Sequence, residues 1–210
     1  MKRMSRYGLL LVFLGLLAAG PAGCGSSKGG QGEGDVDELL AEIEAQRQRG
    51  ARADVKRLNA LAENSHERVS AAAISALGQS GTTEGDQHLA EILRGGADAE
   101  ARANAAVALG ANPSADPQTI TPYLAQGNDP VVRAGAAQGL ARWSSPQRRE
   151  ALPTLVAALD DPDPKVRAWA IRGIHRISVK RFLYDPAQPP QTQRQQIDYI
   201  KRRLRDWNLL

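Results

Sequence analysis

One short helical pattern occurs four times along this chain, each time in the same register. An apolar residue opens each copy, alanines follow two and four positions later, and an aliphatic residue closes it eight positions after the opening residue. The closing residues are Leu77, Leu109, Leu140 and Ile174, which are 32, 31 and 34 positions apart. Self-similarity at a period of about 30 residues is typical of stacked-repeat solenoids. The chain is therefore expected to fold as an array that binds other molecules rather than transforming them.

Each repeat is predicted to consist of two helices. The first helix carries aliphatic residues at helical spacing, and the second helix is the recurrent pattern itself. No stretch shows sustained alternation of polar and apolar residues, so an all-α fold without a sheet is expected. Residues 35–50 form a separate N-terminal helix, with acidic residues in its first turn and Arg47 and Arg49 in its last, as the helix dipole favours. The repeat domain is predicted to span residues 51–178.

The last segment, residues 179–210, is predicted to cap the array. It contains a Tyr-Asp-Pro turn and a Pro/Gln-rich stretch, followed by a helix from about Gln191 to Trp207. One face of this helix is apolar and the other is basic. The basic side chains could contact anionic lipid, but a solvated outer surface, which a terminal repeat needs, is the favoured interpretation.

The first 23 residues have the order of charges expected of an export signal. Basic residues precede an apolar run that is shorter than the roughly 20 residues needed to span a membrane. Small residues then precede the only cysteine of the chain, Cys24. Residues 24–34 are rich in glycine and serine, and they are expected to behave as a flexible tether.

The stretch Pro21-Ala22-Gly23-Cys24 resembles the lipobox of bacterial lipoproteins, although Pro21 stands where that pattern prefers an aliphatic residue. The resemblance implies that residues 1–23 are a lipoprotein signal peptide. It also implies that Cys24 carries the lipid and holds the mature chain on a bacterial membrane, in the periplasm or on the outer surface. The alternative is an ordinary secretory signal cleaved near Ala22, which leaves Cys24 as a free thiol.

The charge of the chain after residue 23 is close to zero but unevenly distributed. It has 24 Lys and Arg against 23 Asp and Glu, a net charge of +1. Residues 25–130 carry −7, whereas residues 131–210 carry +8. This asymmetry either steers association with a partner or reflects drift in composition between repeats. The small net charge, together with the export signal, argues against nucleic-acid binding.

Charged residues recur at the start of three of the four second helices. Aspartates stand three residues before the opening apolar position and arginines stand one residue after it, whereas the first repeat has His66 and Ser70 there. The aspartates suit the helix N-cap, where such a residue contributes about 1 kcal/mol. Because both types are present or absent together, we expect a structural ladder of Asp–Arg pairs between neighbouring repeats. The alternative is a row of arginines that grips an anionic ligand. These residues are Asp98, Arg102, Asp129, Arg133, Asp163 and Arg167.

The units at residues 129–140 and 163–174, which begin Asp-Pro-Val-Val-Arg-Ala and Asp-Pro-Lys-Val-Arg-Ala, resemble HEAT repeats of the short bacterial type. The resemblance implies a right-handed α-solenoid of about four HEAT-like helical hairpins, closed by N- and C-terminal capping helices. It also implies that the second helices line the concave face. HEAT-like repeats occur in bilin lyases and alkylpurine glycosylases as well as in binding proteins, so the fold alone does not fix the function.

No catalytic or metal-binding constellation stands out. The three histidines are scattered without ligand spacing, and the glycine-rich stretches lack the lysine of a phosphate-binding loop. We therefore expect no cofactor, no metal and no enzymatic activity.

The best candidate surface lies on the second helices, at the positions three and six after the opening residue. Most residues there are small, until Trp169, Arg172 and Arg176 follow at helical spacing in the last repeat. Tryptophan and arginine are enriched in binding hot spots. Alternatively, Trp169 packs under the C-terminal helix beside Phe182 or Trp207, which is the favoured interpretation.

The sequence as a whole predicts a membrane-anchored protein-binding or scaffolding module of the bacterial cell envelope, whose partner is another protein and whose oligomeric state is not specified. The alternatives are a HEAT-like lyase or other ligand-binding enzyme, and a structural envelope spacer without a specific partner.

Overall fold

The computed structural model describes residues 33–95, 98–144 and 148–210, and this part of the chain consists of helices, 3-10 turns and loops without a strand. The predicted signal peptide, Cys24 and residues 25–32 of the predicted tether lie outside the described residues. Glu33 and Gly34, which were assigned to the tether, instead form the first turn of a helix. Acidic residues at its N-terminus, Glu33 and Asp35, favour this earlier start.

Nine α-helices follow one another in the described residues. They are α1 (Glu33–Arg49), α2 (Val55–Ala62), α3 (Glu67–Ser80), α4 (Thr83–Arg94), α5 (Ala99–Ala111), α6 (Pro130–Arg142), α7 (Leu152–Ala157), α8 (Pro164–Ser178) and α9 (Arg194–Asp206). The 3-10 turns are Gly50–Arg52, Pro117–Thr119, Thr121–Leu124, Arg148–Ala151, Ala158–Asp160 and Pro190–Gln193. The predicted all-α fold is confirmed.

The helices form two layers. In one layer, which we call the second-helix layer, α1 packs on α3, α3 on α5, α5 on α6, and α6 on α8. The other layer, which we call the first-arm layer, consists of α2, α4, residues 117–124 and residues 148–160. Each of these arms packs against the second helix of its own repeat. Aliphatic side chains such as Leu58, Leu89 and Leu155 are fully buried between the layers. This arrangement is an α-solenoid of four helical hairpins, with α1 preceding the first of them.

The second helices begin where the aspartate pattern predicts. The side chain of Asp98 accepts a hydrogen bond from the backbone N–H of Ala101 at 2.7 Å, and Asp163 accepts one from Lys165 at 2.6 Å. Asp129 caps α6 in the same way. Each side chain satisfies an amide that the first turn of a helix otherwise leaves without a partner.

Two adjacent second helices approach each other backbone to backbone. A Cβ atom added at Gly135 of α6 would lie 2.6 Å from the Cα of Ala103 in α5. Gly110 of α5 faces the backbone of Gly139 in α6 in the same manner. The small residues of the repeat pattern therefore set the spacing of the array, because a side chain at these positions would force the helices apart.

The first arms of the third and fourth repeats differ from the prediction. The third arm, predicted as a helix through Ile120 and Leu124, is instead a pair of 3-10 turns. Pro117 and Pro122 lack the N–H that a continuous α-helix requires, and the four residues between them are too few for a helix of their own. The fourth arm contains only the six-residue helix α7, flanked by 3-10 turns, and Pro153 lies at its start.

The C-terminal segment docks onto the last repeat through buried apolar side chains. Ile197, Ile200 and Leu204 of α9 are fully buried, as the amphipathic pattern predicts. The backbone N–H of Phe182 donates to Nε2 of His175 at 2.9 Å, and burial holds the pKa of His175 below its usual 6.5. A neutral imidazole is required, because Nε2 must keep its lone pair to accept this bond.

The Tyr-Asp-Pro turn adds polar contacts to this docking. The Tyr184 hydroxyl donates to the backbone carbonyl of Leu159 at 2.7 Å, and burial raises the pKa of Tyr184 to about 12. Nε2 of Gln193 donates to the carbonyl of Asp185 at 2.6 Å and holds the turn closed. The segment is therefore an integral part of the fold of the last repeat.

Candidate functional site

A groove of about 240 Å³ runs across α5, α6 and α8 on the second-helix layer. Its floor is formed by the small residues that also set the helix spacing, so it is shallow. Asn104 and Gln138 bring amide groups to it, and Val107 and Val131 bring apolar surface. The residues three and six positions after the opening residue of α5 and α6, and the one three positions after that of α8, line this groove, as the repeat register predicts.

Trp169 lies at the α8 end of the groove and is half-buried. The guanidinium of Arg172 lies 4.8 Å from the centre of its ring, and that of Arg142 lies 5.5 Å from it. Both distances are within the range of cation–π attraction, which orders the two arginines against the indole. The site is thus a half-buried indole with two guanidinium groups over its ring.

The expectation that Trp169 packs beneath the C-terminal helix is wrong. Phe182 lies 5.8 Å from Trp207, ring centre to ring centre, and also contacts His175 and Tyr199. These rings form an aromatic cluster of their own within the docked tail. Trp169 faces α6 instead, because it occupies the position three residues after the opening residue, which α5 and α6 also turn toward the groove.

Arg142 was not predicted as part of this site, although its position in the repeat register indicates that it lies there. It stands ten residues after the opening Val132 of α6, and Arg176 stands at the same position of α8. Arg176 donates to the carbonyl of Arg142 at 2.8 Å and so binds the C-terminal end of α6. Trp169 therefore lines the groove and Arg172 lies over its ring, whereas Arg176 joins α8 to α6.

The arginines of the predicted ladder do connect neighbouring repeats, but their partners are not the predicted aspartates. Each guanidinium contacts the end of the first arm, or the turn, of its own repeat. Arg102 and Arg133 also contact the next repeat, and Arg167 also contacts the tail. Asp98, Asp129 and Asp163 instead accept backbone N–H groups as N-caps. The predicted pairing is wrong because the cap position points each carboxylate at its own helix.

Arg133 makes the most extensive of these connections. Its Nε and Nη2 donate to the two carboxylate oxygens of Asp161 in the next repeat, at 2.8 and 2.9 Å, and its Nη1 donates to the carbonyl of Asn128 at 2.7 Å. Arg133 is 4% exposed and Asp161 is 3% exposed. The bond to Asp161 raises the pKa of Arg133 above its usual value. This buried, bidentate pair fastens the third repeat to the fourth.

The other two arginines use different groups for the same connection. Arg102 donates to the carbonyl of Leu93 at 3.1 Å, and its guanidinium lies 5.9 Å from the ring centre of Tyr123 in the next arm. Arg167 donates to the carbonyls of Asp161 and Pro162 in its own repeat and to Pro186 of the tail, at 2.7 Å each. The tail therefore takes the place that a fifth repeat would occupy.

The described residues show neither a metal site nor a membrane span. No three His, Cys, Asp or Glu side chains within residues 33–95, 98–144 and 148–210 converge as metal ligands would. None of the helices in those ranges combines the length and the apolar character needed to cross a bilayer.

Stacked helical hairpins with a groove along one layer define the chain as an α-solenoid, a class whose extended surface serves protein interaction and scaffolding. The model of HEAT repeats matches residues 37–110 and again residues 117–190. The chain belongs to the HEAT-repeat family, whose members are typically non-enzymatic scaffolds. The first match begins inside α1, and the second reaches the turn before α9. No curated protein matches the chain.

Proposed function

We propose that this protein is a lipid-anchored module of the bacterial cell envelope that binds another protein, without catalysing a reaction, in the groove of its second-helix layer. The observation that carries the proposal is Trp169, half-exposed at the end of that groove with two guanidinium groups over its ring. A partly exposed indole flanked by arginines is the composition of an interface hot spot.

The groove favours a particular kind of partner. Its floor is shallow, so it suits an extended segment or a helix edge rather than a small molecule that must be enclosed. At the Trp169 end the basic residues Lys165, Arg142 and Arg172 outnumber Asp163, so that end carries a net positive charge. A partner segment that places an apolar side chain on Trp169 and a carboxylate beside the guanidinium groups would match both features.

Crosslinking in intact cells tests the groove. A single protein should be crosslinked recurrently to the wild-type chain and lost from the variant Trp169→Ala with Arg172→Ala, since loss of a hot spot of about 2 kcal/mol weakens binding about thirtyfold. The matched control is Tyr199→Ala with Arg202→Ala, which removes an exposed aromatic residue and an arginine from α9. If the variant Trp169→Ala with Arg172→Ala still crosslinked to the partner, the binding site would lie outside the groove. The absence of any recurrent partner would favour a spacer.

The anchor is proposed from the sequence of the N-terminal region, in which Cys24 follows an export signal and precedes a Gly/Ser-rich stretch. Cells grown with radioactive palmitate should label the wild-type chain and leave Cys24→Ala unlabelled. Equal labelling of the two would refute lipidation at Cys24. The groove proposal would survive that result, because crosslinking tests it separately.

A further inference from the structure

The first repeat differs from the other three at the position where they carry an arginine. Ser70 stands there, and its hydroxyl donates to the carbonyl of Ala62 at 2.6 Å. Ala62 is the last residue of α2, the first arm of its own repeat. Leu93, which Arg102 contacts, is likewise the last residue but one of α4. Ser70 therefore makes the connection within its own repeat, but its side chain is too short to reach the arm of the next.

The second repeat also lacks the acidic side chain that would receive such an arginine. Asp161, which receives Arg133, follows the last aliphatic residue of its arm, Leu159, by two positions. The corresponding residue two positions after Leu93 is Gly95, which has no side chain. Both halves of the connection that joins the third and fourth repeats are thus missing between the first and second.

A cavity of about 440 Å³ lies at this junction, where the other repeats hold a guanidinium. It is open to solvent at one side and extends from the α2–α3 turn to α4. Ser70 and Gly95 both line it, together with Asn59, Asn64, His88 and Glu91. The volume is ample for the guanidinium and methylene groups of one arginine side chain.

The lining of the cavity is acidic. Glu63, Glu91 and Asp98 line it, and no lysine or arginine is present among the described lining residues. Asp98 also caps α5, and Oε2 of Glu91 lies 3.3 Å from Nδ1 of His88. An adjoining hollow of about 410 Å³ shares Glu63 and Asp98 with the cavity and adds Glu67 and Glu100. The junction therefore offers carboxylates and an end-of-arm carbonyl, which are the two acceptor types that Arg133 uses between the third and fourth repeats.

We infer that this cavity binds an arginine side chain presented by a partner protein, which completes in trans the connection that the other repeats make with their own arginine. A guanidinium suits the cavity better than an ammonium, because its planar fork can donate to a carboxylate and a carbonyl at once. The cavity shares no lining residue with the Trp169 groove, although the adjoining hollow meets that groove at Glu100 and Asn104. The inference therefore stands whether or not the groove binds a protein.

The test is titration of the full-length chain in detergent micelles with the peptide acetyl-Ala-Arg-Ala-amide, followed by amide NMR shifts. The peptide should shift the amides of Ser70, His88 and Glu91 in a saturable manner. The matched peptide with citrulline, which keeps the shape but not the charge, should bind about tenfold more weakly. Equal binding of the two peptides, or shifts confined to other repeats, would overturn the inference.

Two variants place the peptide in the cavity. Ser70→Arg should fill the cavity with the chain's own guanidinium, abolish the saturable shifts and raise the Tm by about 2–4 °C. Glu91→Gln should weaken binding about fivefold, whereas Glu84→Gln, on the same helix but outside the cavity, should not. Undiminished binding by Glu91→Gln, or by a folded Ser70→Arg, would contradict the assignment.

Discussion

Replacing Asp161 with alanine should lower the free energy of unfolding by about 3–5 kcal/mol, because it leaves the guanidinium of Arg133 buried without its counter-charge. Two charge-assisted hydrogen bonds are lost at once. Arg133 cannot escape the cost by losing its proton, since an arginine stays protonated. Nor can it turn to solvent without abandoning the carbonyl of Asn128. Urea unfolding of the purified chain measures the loss.

The neighbouring residue provides a matched control. Asp160 is also an aspartate with basic partners, but its contacts with Arg194 and Lys201, at 3.3 and 3.6 Å, are partly exposed. Asp160→Ala should therefore cost less than about 1 kcal/mol. The double variant Arg133→Met with Asp161→Ala should recover part of the loss, because no unpaired charge is left behind. Equal costs for Asp160→Ala and Asp161→Ala would contradict the role given to the buried pair.

Replacing Gly110 with alanine should destabilise the protein by about 3 kcal/mol or more, although alanine is the better helix former by about 1 kcal/mol. The added methyl group would collide with the Cα, the carbonyl carbon and the carbonyl oxygen of Gly139. Those are backbone atoms of α6, so no rotation of a side chain relieves the overlap. The two helices would have to separate, and the contact between the second and third repeats would loosen.

A glycine without such a neighbour is the control for this prediction. Gly34 lies in α1, and an added Cβ there meets nothing within 4 Å. Gly34→Ala should be neutral or stabilising by up to about 1 kcal/mol, since only helix propensity changes. Thermal unfolding of the two variants beside the wild type measures the difference. A Gly110→Ala variant as stable as Gly34→Ala would show that α5 and α6 are not in backbone contact.

The sequence predicts the second helices well because each carries its own signals. The opening apolar residue, the paired alanines and the aspartate cap all act within one helix, and a single register reveals them. The same register locates Asn104, Gln138 and Trp169 on the groove. Arg142 obeys it too, and following the pattern one turn further along α6 would have identified it.

The partners of the ladder arginines could not be predicted in this way. Arg102 and Arg133 contact a ring and a carboxylate of the next repeat, whereas Arg167 contacts a backbone carbonyl of the tail. Every residue has a backbone carbonyl, so the sequence does not show which one contacts an arginine. The three partners also share no residue type.

Arg167 and the turn at Pro186 together have an evolutionary consequence. A duplicated hairpin inserted between α6 and α8 would bring its own arginine and acceptor, so the lineage could lengthen the array internally with few further changes. A hairpin appended after α8 could not pack on the last repeat, because the tail already covers that surface. Genes related to this one should therefore vary in the number of central hairpins while keeping the same C-terminal segment.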